Sequence, residues 1–262
     1  SEAHMTIALL VCYDGTRLSG WQTQANADSV QSALEKAVYD AFSENVRVAA
    51  SGRTDSGVHA AGQVCSLSLE NRIAPERVAD ALNRFLPEDV RVLESVAAPE
   101  GFDACRMAKQ KTYRYRFYVS ARQNPLKERY AAQLKRMPDP EKMRAAAKLI
   151  EGEHDFKCFC ASGSAAKSTV RHVLSAQISL ERSLGSDDIV LDVSGKGFLY
   201  NMVRIIAGTL AAVGEGKIRA EDILRAFESG ERALLGKTMP AKGLTLLNVD
   251  YGFPLFPRAI KE

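Results

Sequence analysis

The residues of this chain best suited to chemistry lie at positions 51–60, which read S-G-R-T-D-S-G-V-H-A. Asp55 stands between Gly52 and Gly57, with Arg53 two residues before it and His59 four after it. Glycine accepts backbone angles that other residues resist, so the segment can turn sharply and bring its main chain close to a ligand. A carboxylate beside a guanidinium stays ionised near neutrality, because the nearby positive charge favours the charged form. In extended chain, Arg53 and Asp55 project on one side. A plain turn uses the same residues, with Asp and Ser bonding their own backbone, and the triplet alone does not separate the two readings. His59 could shuttle a proton, but the four histidines of the chain form no ligand cluster and it reads as structural.

Composition narrows the class. The chain has 262 residues, enough for one large domain or two of ordinary size. A hydrophobic fraction of 46% and a charged fraction of 26% suit a soluble globular protein. No stretch reaches the roughly 20 apolar residues needed to cross a bilayer; the longest candidate, residues 198–213, is broken by Asn201 and Arg204. Ser-Glu-Ala-His-Met resembles a tag remnant ending at an initiating Met5, so residues 1–5 are set aside, and no signal peptide is read after them. The five cysteines are odd in number and form no C-x-x-C pair. They read as reduced cytoplasmic thiols, not as a disulfide framework or a zinc site. Net charge is only +3, yet residues 105–136 hold 10 basic residues against 1 acidic. With Tyr113, Tyr115, Phe117, Tyr118 and Tyr130 interleaved, that block suits a polyanion whose bases can be stacked upon.

The elements that must position these groups follow from periodicity. Residues 6–13 form a β-rich run closed by Asp14-Gly15. Asp28, with Gln31 three residues on, is the expected cap of a helix carrying Val30, Leu34, Val38 and Phe42. Residues 46–50 and 63–69 read as strands on either side of the aspartate turn. A helix starting at Pro75 and a strand at 90–96 complete a β-α-β-β-α-β order, the ferredoxin-like unit. The second half repeats the order loosely: a strand at 112–119, a helix from Asp139-Pro140 to Gly152, a hairpin of 170–180 with 189–193, helices at 200–213 and 220–227, and a strand at 244–249. The expected class is α+β, with an N-terminal domain at residues 6–107 and a C-terminal domain at 108–262.

Several strings together resemble the tRNA pseudouridine synthases of the TruA type, over nearly the whole chain from Met5. They are Tyr13-Asp14-Gly15 with Gly20-Trp21-Gln22, Ser29-Val30-Gln31 with Leu34-Glu35, Gly52-Arg53-Thr54-Asp55-Ser56-Gly57-Val58-His59, Lys111-Thr112-Tyr113-Arg114-Tyr115, Met202-Val203-Arg204 with Gly208, and Pro240-Ala241-Lys242-Gly243-Leu244. Ser56 stands where that family also uses Ala. The resemblance implies the pseudouridine synthase fold, two ferredoxin-like halves forming a continuous, mostly antiparallel sheet flanked by helices, with the active cleft between the lobes. It implies conversion of uridine to pseudouridine on the 3′ side of the tRNA anticodon stem-loop, by a homodimer that needs no metal or organic cofactor. It assigns the nucleophile to Asp55, the active-site tyrosine to Tyr113, the carboxylate-pairing arginine to Arg204 and the base-extruding arginine to Arg53. Lys109, Lys111 and Arg114 on the basic stretch, with Lys167 and Arg171 in a neighbouring segment, are the candidate contacts to tRNA.

Elementary chemistry agrees with those assignments. The isomerisation breaks the N1–C1′ bond, turns the uracil and joins C5 to C1′, with no redox change and no atom lost, so a carboxylate suffices. Aspartate starts near a pKa of about 3.9, and an arginine partner keeps a buried one ionised. Arg204, set among Val203 and Ile205, needs such a partner; a polar stripe with Asn201 would serve equally well on helical spacing. Tyr113 can lie against uracil, although alternation alone does not separate it from Tyr115. An aspartyl-phosphate phosphatase fails because Cys12 occupies its nucleophile position, and a phosphate-binding loop at 163–168 fails because Ala166 precedes the lysine. The alternative from another class is a non-catalytic RNA-binding module. It explains the basic block and the tyrosines, but not a fixed acid at Asp55, which would repel phosphate.

Overall fold

The computed structural model describes residues 4–162 and 165–259. Residues 1–3 of the expected tag, and Gly163 and Ser164 of the loop weighed above, lie outside that set. The fold is α+β with mostly antiparallel sheet, in two compact units: the residues up to Lys109 with those from Leu246 onward, and Gln110–Thr245.

The first unit runs β1 (Met5–Tyr13), α1 (Val30–Phe42), β2 (Ala49–Ala50), β3 (His59–Leu69), α2 (Val78–Asn83) and β4 (Val90–Ala97), the expected order. β1 is central, antiparallel to both β3 and β4, with Leu9 opposite Cys65 and Ser95. Ile7, Ala8, Leu9 and Val11 are fully buried, as a strand covered on both faces requires. Helix α1 lays Val30, Leu34, Ala37 and Val38 on the core.

Two local expectations change. The cap of α1 is Ser29, not Asp28: its Oγ accepts from the Ser32 N–H, and the Ser32 Oγ accepts from the Ser29 N–H. Gln31 is unavailable for a capping box because its amide donates to Glu35 and to the Val48 carbonyl while accepting from the Thr23 N–H. The same contacts shorten the strand expected at 46–50 to Ala49–Ala50. The Val48 N–H donates to Glu35 and its carbonyl accepts from Gln31, so α1 side chains consume the groups a longer ladder would use.

The second unit runs β5 (Gln110–Val119), β6 (Ala132–Leu134), α3 (Pro140–Ile150), β7 (Gly152–Asp155), β8 (Val170–Ser183), β9 (Ser186–Gly195), α4 (Met202–Gly214) and α5 (Ala220–Ser229). Strands β5, β9, β8 and β7 pair antiparallel in that order, and β6 pairs parallel with β5. Asp139 caps α3 by accepting from the Glu141 and Lys142 N–H groups, with Pro140 in the first turn. A last strand, β10 (Leu244–Asp250), passes from the second unit into the first, where it lies beside β3.

The β8–β9 hairpin closes on Leu184 and Gly185, both at positive φ (+48° and +83°). A two-residue turn whose twist matches the strands requires that geometry, and only Gly185 adopts it without strain. Leu184 is also exposed. Leu184→Asn is expected to stabilise the chain by about 1 kcal/mol, raising the melting midpoint by about 2–4 °C. Calorimetry showing an unchanged or lower midpoint would refute the strain assigned to Leu184.

Candidate active site

The aspartate loop rests on main chain, and the strings flanking it in sequence supply the bed. Gly15 lies so close beneath it that a Cβ there would stand 2.0 Å from the Val58 carbonyl oxygen. Gly20, at φ +83°, would put one 2.7 Å from the Thr54 oxygen. Main-chain bonds then fasten the loop. The Trp21 N–H donates to Thr54 O at 3.0 Å, the Gly57 N–H to Leu18 O at 3.4 Å, and the Val58 N–H to Asp55 O at 3.1 Å. This explains why Asp-Gly and Gly-Trp precede the aspartate segment in sequence: no larger residue admits the approach.

Side chains secure the loop from below. Gln63, midway along β3, is fully buried. Its Oε1 accepts from the Ser51 Oγ (2.6 Å) and the Val64 N–H (3.1 Å). Its Nε2 donates to Gly52 O (2.9 Å) and to the Tyr13 hydroxyl (3.5 Å). The Tyr13 hydroxyl in turn lies 2.6 Å from the Thr54 Oγ1. His59, 4% exposed, accepts the Gly15 N–H on its Nδ1 at 2.9 Å, with Asp14 Oδ1 3.3 Å from the same nitrogen. The histidine thus braces the glycine beneath the loop, in keeping with a structural role. Above this scaffold Asp55 is half-buried and Arg53 exposed. No hydrogen bond or ion pair engages the Arg53 guanidinium among the described residues. Sequence reasoning placed Gln63 only as a strand residue. The available signal was a long amide among Val64, Cys65 and Leu67, where a buried polar group needs partners.

In the second unit, the structure separates the two tyrosines that alternation left equivalent. Tyr115 is fully buried beside Phe117, and its hydroxyl donates to Pro240 O at 2.7 Å. Burial pushes its phenol up, so it remains a donor. Tyr113 is half-buried and packs edge-on against Phe198, with ring centroids 5.2 Å apart. Arg204, in the first turn of α4, donates from Nε to Met239 O (2.7 Å) and from Nη1 to the Asn201 Oδ1 (3.0 Å). The pairing with Asn201 is therefore real, and it leaves the other guanidinium donors for an anion. Asn201 holds a left-handed conformation, φ +61°, as it presents that oxygen.

The basic block divides once strands pair. Arg114 bonds Asp192 bidentately, both distances 2.8 Å, and that bond holds the guanidinium in its charged form. Arg116 bridges Glu181 and Asp188, and buried Lys127 also pairs with Asp188. Acids of β8 and β9 thus neutralise cations that look unopposed along the sequence. Tyr115, Phe117 and Tyr118 belong to the core, while Tyr130 is 48% exposed with Arg129 over its ring. Of the other expected RNA contacts, Lys109 and Lys167 are exposed and Lys111 is half-buried. Arg171 is tied to the Ser168 and Val170 carbonyls. No group of three His, Cys, Asp or Glu side chains able to hold a metal occurs among the described residues. No helix among them is long and apolar enough to cross a membrane.

The fold and this loop define a class: an α+β protein that presents one carboxylate, with an exposed arginine beside it, on a rigid glycine-lined support. Residues 9–106 and 146–252 match the family described as tRNA pseudouridine synthase. A protein of Geotalea uraniireducens named tRNA pseudouridine synthase A is 42% identical over 245 residues, 94% of this chain and 99% of its own length. One of Acetivibrio thermocellus with the same name is 44% identical over 246 residues, with the same coverage of 94% and 99%. Among solved structures, a chain of a Cbf5-Nop10-Gar1 complex aligns at 13% identity and a TM-score of 0.39, over 92% of this chain and 49% of that one. The chain belongs to the tRNA pseudouridine synthase family.

Proposed function

We propose that this protein isomerises uridine to pseudouridine on the 3′ side of the tRNA anticodon stem-loop, in the cytoplasm and as a homodimer. The observation that carries the reading is Asp55, presented by an Arg-Thr-Asp loop on a glycine bed, in a chain that matches the family over residues 9–106 and 146–252. Asp55 is the nucleophile that relieves the uracil of its sugar. The N1–C1′ bond breaks, the base turns, C5 bonds C1′, and the proton lost from C5 is balanced by one gained at N1. Neither an oxidant nor an organic cofactor enters this balance. Arg53, exposed and unpaired among the described residues, helps hold the target nucleotide out of its stack, a state that costs a few kcal/mol. Tyr113 offers its ring to the base, and Arg204 supplies the counter-charge for the carboxylate. Lys109, Lys111, Lys167 and Arg171 serve the phosphates; Arg114 contributes chiefly as the partner of Asp192.

The test is direct. Unmodified tRNA transcript is incubated with the protein and its nucleosides are analysed, with the modified position mapped. Pseudouridine confined to the 3′ side of the anticodon stem-loop is the expected product. A protein that binds the transcript while leaving every uridine unchanged is the RNA-binding module instead. Binding should also weaken with salt, losing about tenfold or more between low and physiological ionic strength as several phosphate contacts dictate. A flat salt dependence would remove the phosphate-binding lysines from the proposal.

A further inference from the structure

We propose that Gln63 is a positioning residue for the reaction: its buried side-chain amide fixes the chain at Ser51 and Gly52, and through Tyr13 at Thr54, so that Arg53 and Asp55 project at a set reach. The inference rests on the reading of Asp55 as nucleophile and adds to it the group that holds the nucleophile in place.

Gln63 has no exposed surface, and a buried amide is costly unless every donor and acceptor is engaged. Here all are. The oxygen accepts twice, from the Ser51 hydroxyl and the Val64 N–H, and the nitrogen donates twice, to Gly52 O and the Tyr13 hydroxyl. These partners also fix which end is which, since a main-chain N–H faces the oxygen and a carbonyl faces the nitrogen. A methionine or leucine would fill the same space without a polar group to satisfy, so packing alone gives no reason for an amide. What the amide adds is direction. Its contacts fall on Ser51 and Gly52, the two residues before Arg53. The Tyr13 hydroxyl carries the network on to Thr54, the residue before Asp55. Arg53 is exposed and Asp55 half-buried, so the core fixes their places through the main chain beneath them. A nucleophile displaced by about 1 Å can lose on the order of 100-fold in rate.

Two variants test this, with kcat measured on saturating unmodified tRNA, Kd for the same tRNA, and thermal unfolding to choose a temperature at which each variant is folded. Gln63→Met keeps length and bulk but removes every bond. It is expected to lower kcat about 100-fold while leaving tRNA affinity within about twofold of wild type. Gln63→Glu keeps the two accepted bonds and loses both donations, to Gly52 O and to the Tyr13 hydroxyl, whenever it is ionised. Burial raises the carboxyl pKa, and the single O–H of the protonated form restores the donation to Gly52 O. Activity of Gln63→Glu should therefore stand near wild type at about pH 6 and decline towards the methionine level by about pH 9, relative to wild type at each pH.

A folded Gln63→Met enzyme with wild-type kcat, or a loss lying wholly in Kd, overturns the inference. A Gln63→Glu profile parallel to wild type does the same, and it decides the matter alone if Gln63→Met does not fold. Wild-type kcat in Gln63→Met beside an inactive Asp55→Asn enzyme sinks only the positioning role. An active Asp55→Asn enzyme sinks the nucleophile assignment and the positioning role with it.

Discussion

Asp55→Asn is expected to abolish pseudouridine formation, lowering the single-turnover rate on the order of 10⁴-fold or more, while tRNA binding and thermal stability stay close to wild type. The loop geometry gives the reason for both halves of that result. The main-chain bonds of Thr54, Asp55 and Gly57, the Thr54 hydroxyl, and the bonds of Ser51 Oγ and Gly52 O to Gln63 all help seat the loop, and the substitution retains each of them. Asparagine keeps the size of the side chain but removes its charge, and a neutral amide is a poor nucleophile towards either the sugar or the base. Affinity should hold or tighten slightly, because a carboxylate opposes an approaching phosphate backbone. The measurement is a pair: nucleoside analysis after a single turnover with enzyme in excess, and a binding isotherm on the same transcript. A variant that still forms pseudouridine at more than a few per cent of the wild-type rate removes Asp55 from the chemistry. Equal losses of binding and rate would make it an affinity determinant.

What the sequence made legible, and what it hid, divides along physical lines. The long periodic elements were readable because burial imposes a period. The apolar stripe of α1 and the pattern of β1 are of this kind, and both lie within a residue of where periodicity puts them. Side-chain competition for backbone groups was not readable. Nothing in the run at 46–50 announces that Glu35 and Gln31 will take the N–H and carbonyl of Val48, yet that leaves β2 with two residues. β6 was missed because three residues held by parallel pairing to β5 have no period of their own, and β7 because Gly-Glu-His-Asp is polar throughout. The basic block misled in a related way. Charge counted along the chain ignores what strand pairing sets opposite, and β9 brings Asp188 and Asp192 against Arg116, Lys127 and Arg114. For the candidate site, residue types pointed to Asp55 and Arg53, but the support beneath them is a tertiary fact. Gln63, Tyr13 and Trp21 reach the loop across separations no short motif spans, His59 reaches out of its own motif to Gly15, and Tyr113 parts from Tyr115 because the second ring is buried with its hydroxyl on Pro240 O.

Gly15→Ala should silence the enzyme without touching any group assigned to the chemistry, lowering kcat about 100-fold or more and costing about 3 kcal/mol of stability. The backbone angle is not the obstacle, because Gly15 is absent from the positive-φ residues. Space is the obstacle: the added carbon would lie 2.0 Å from the Val58 oxygen and 2.7 Å from its carbonyl carbon, both main chain, with Gly57 C at 3.1 Å. Main chain cannot rotate aside as a long side chain can, so the loop must lift. The Val58 N–H is bonded to Asp55 O, and the lift is transmitted to the nucleophile. The Gly15 N–H that His59 accepts would shift with it. Gly101→Ala supplies the contrast: its φ is +73° with nothing within 4 Å of the new carbon, so strain costs about 1 kcal/mol there and leaves kcat unchanged. Calorimetry and kcat on the same preparations separate the two effects, with the midpoint falling by about 6–12 °C for Gly15→Ala. A folded Gly15→Ala enzyme with wild-type kcat would mean that Asp55 works without the seat Gly15 provides, and the rate would then have to be set by the substrate drawing the loop into place.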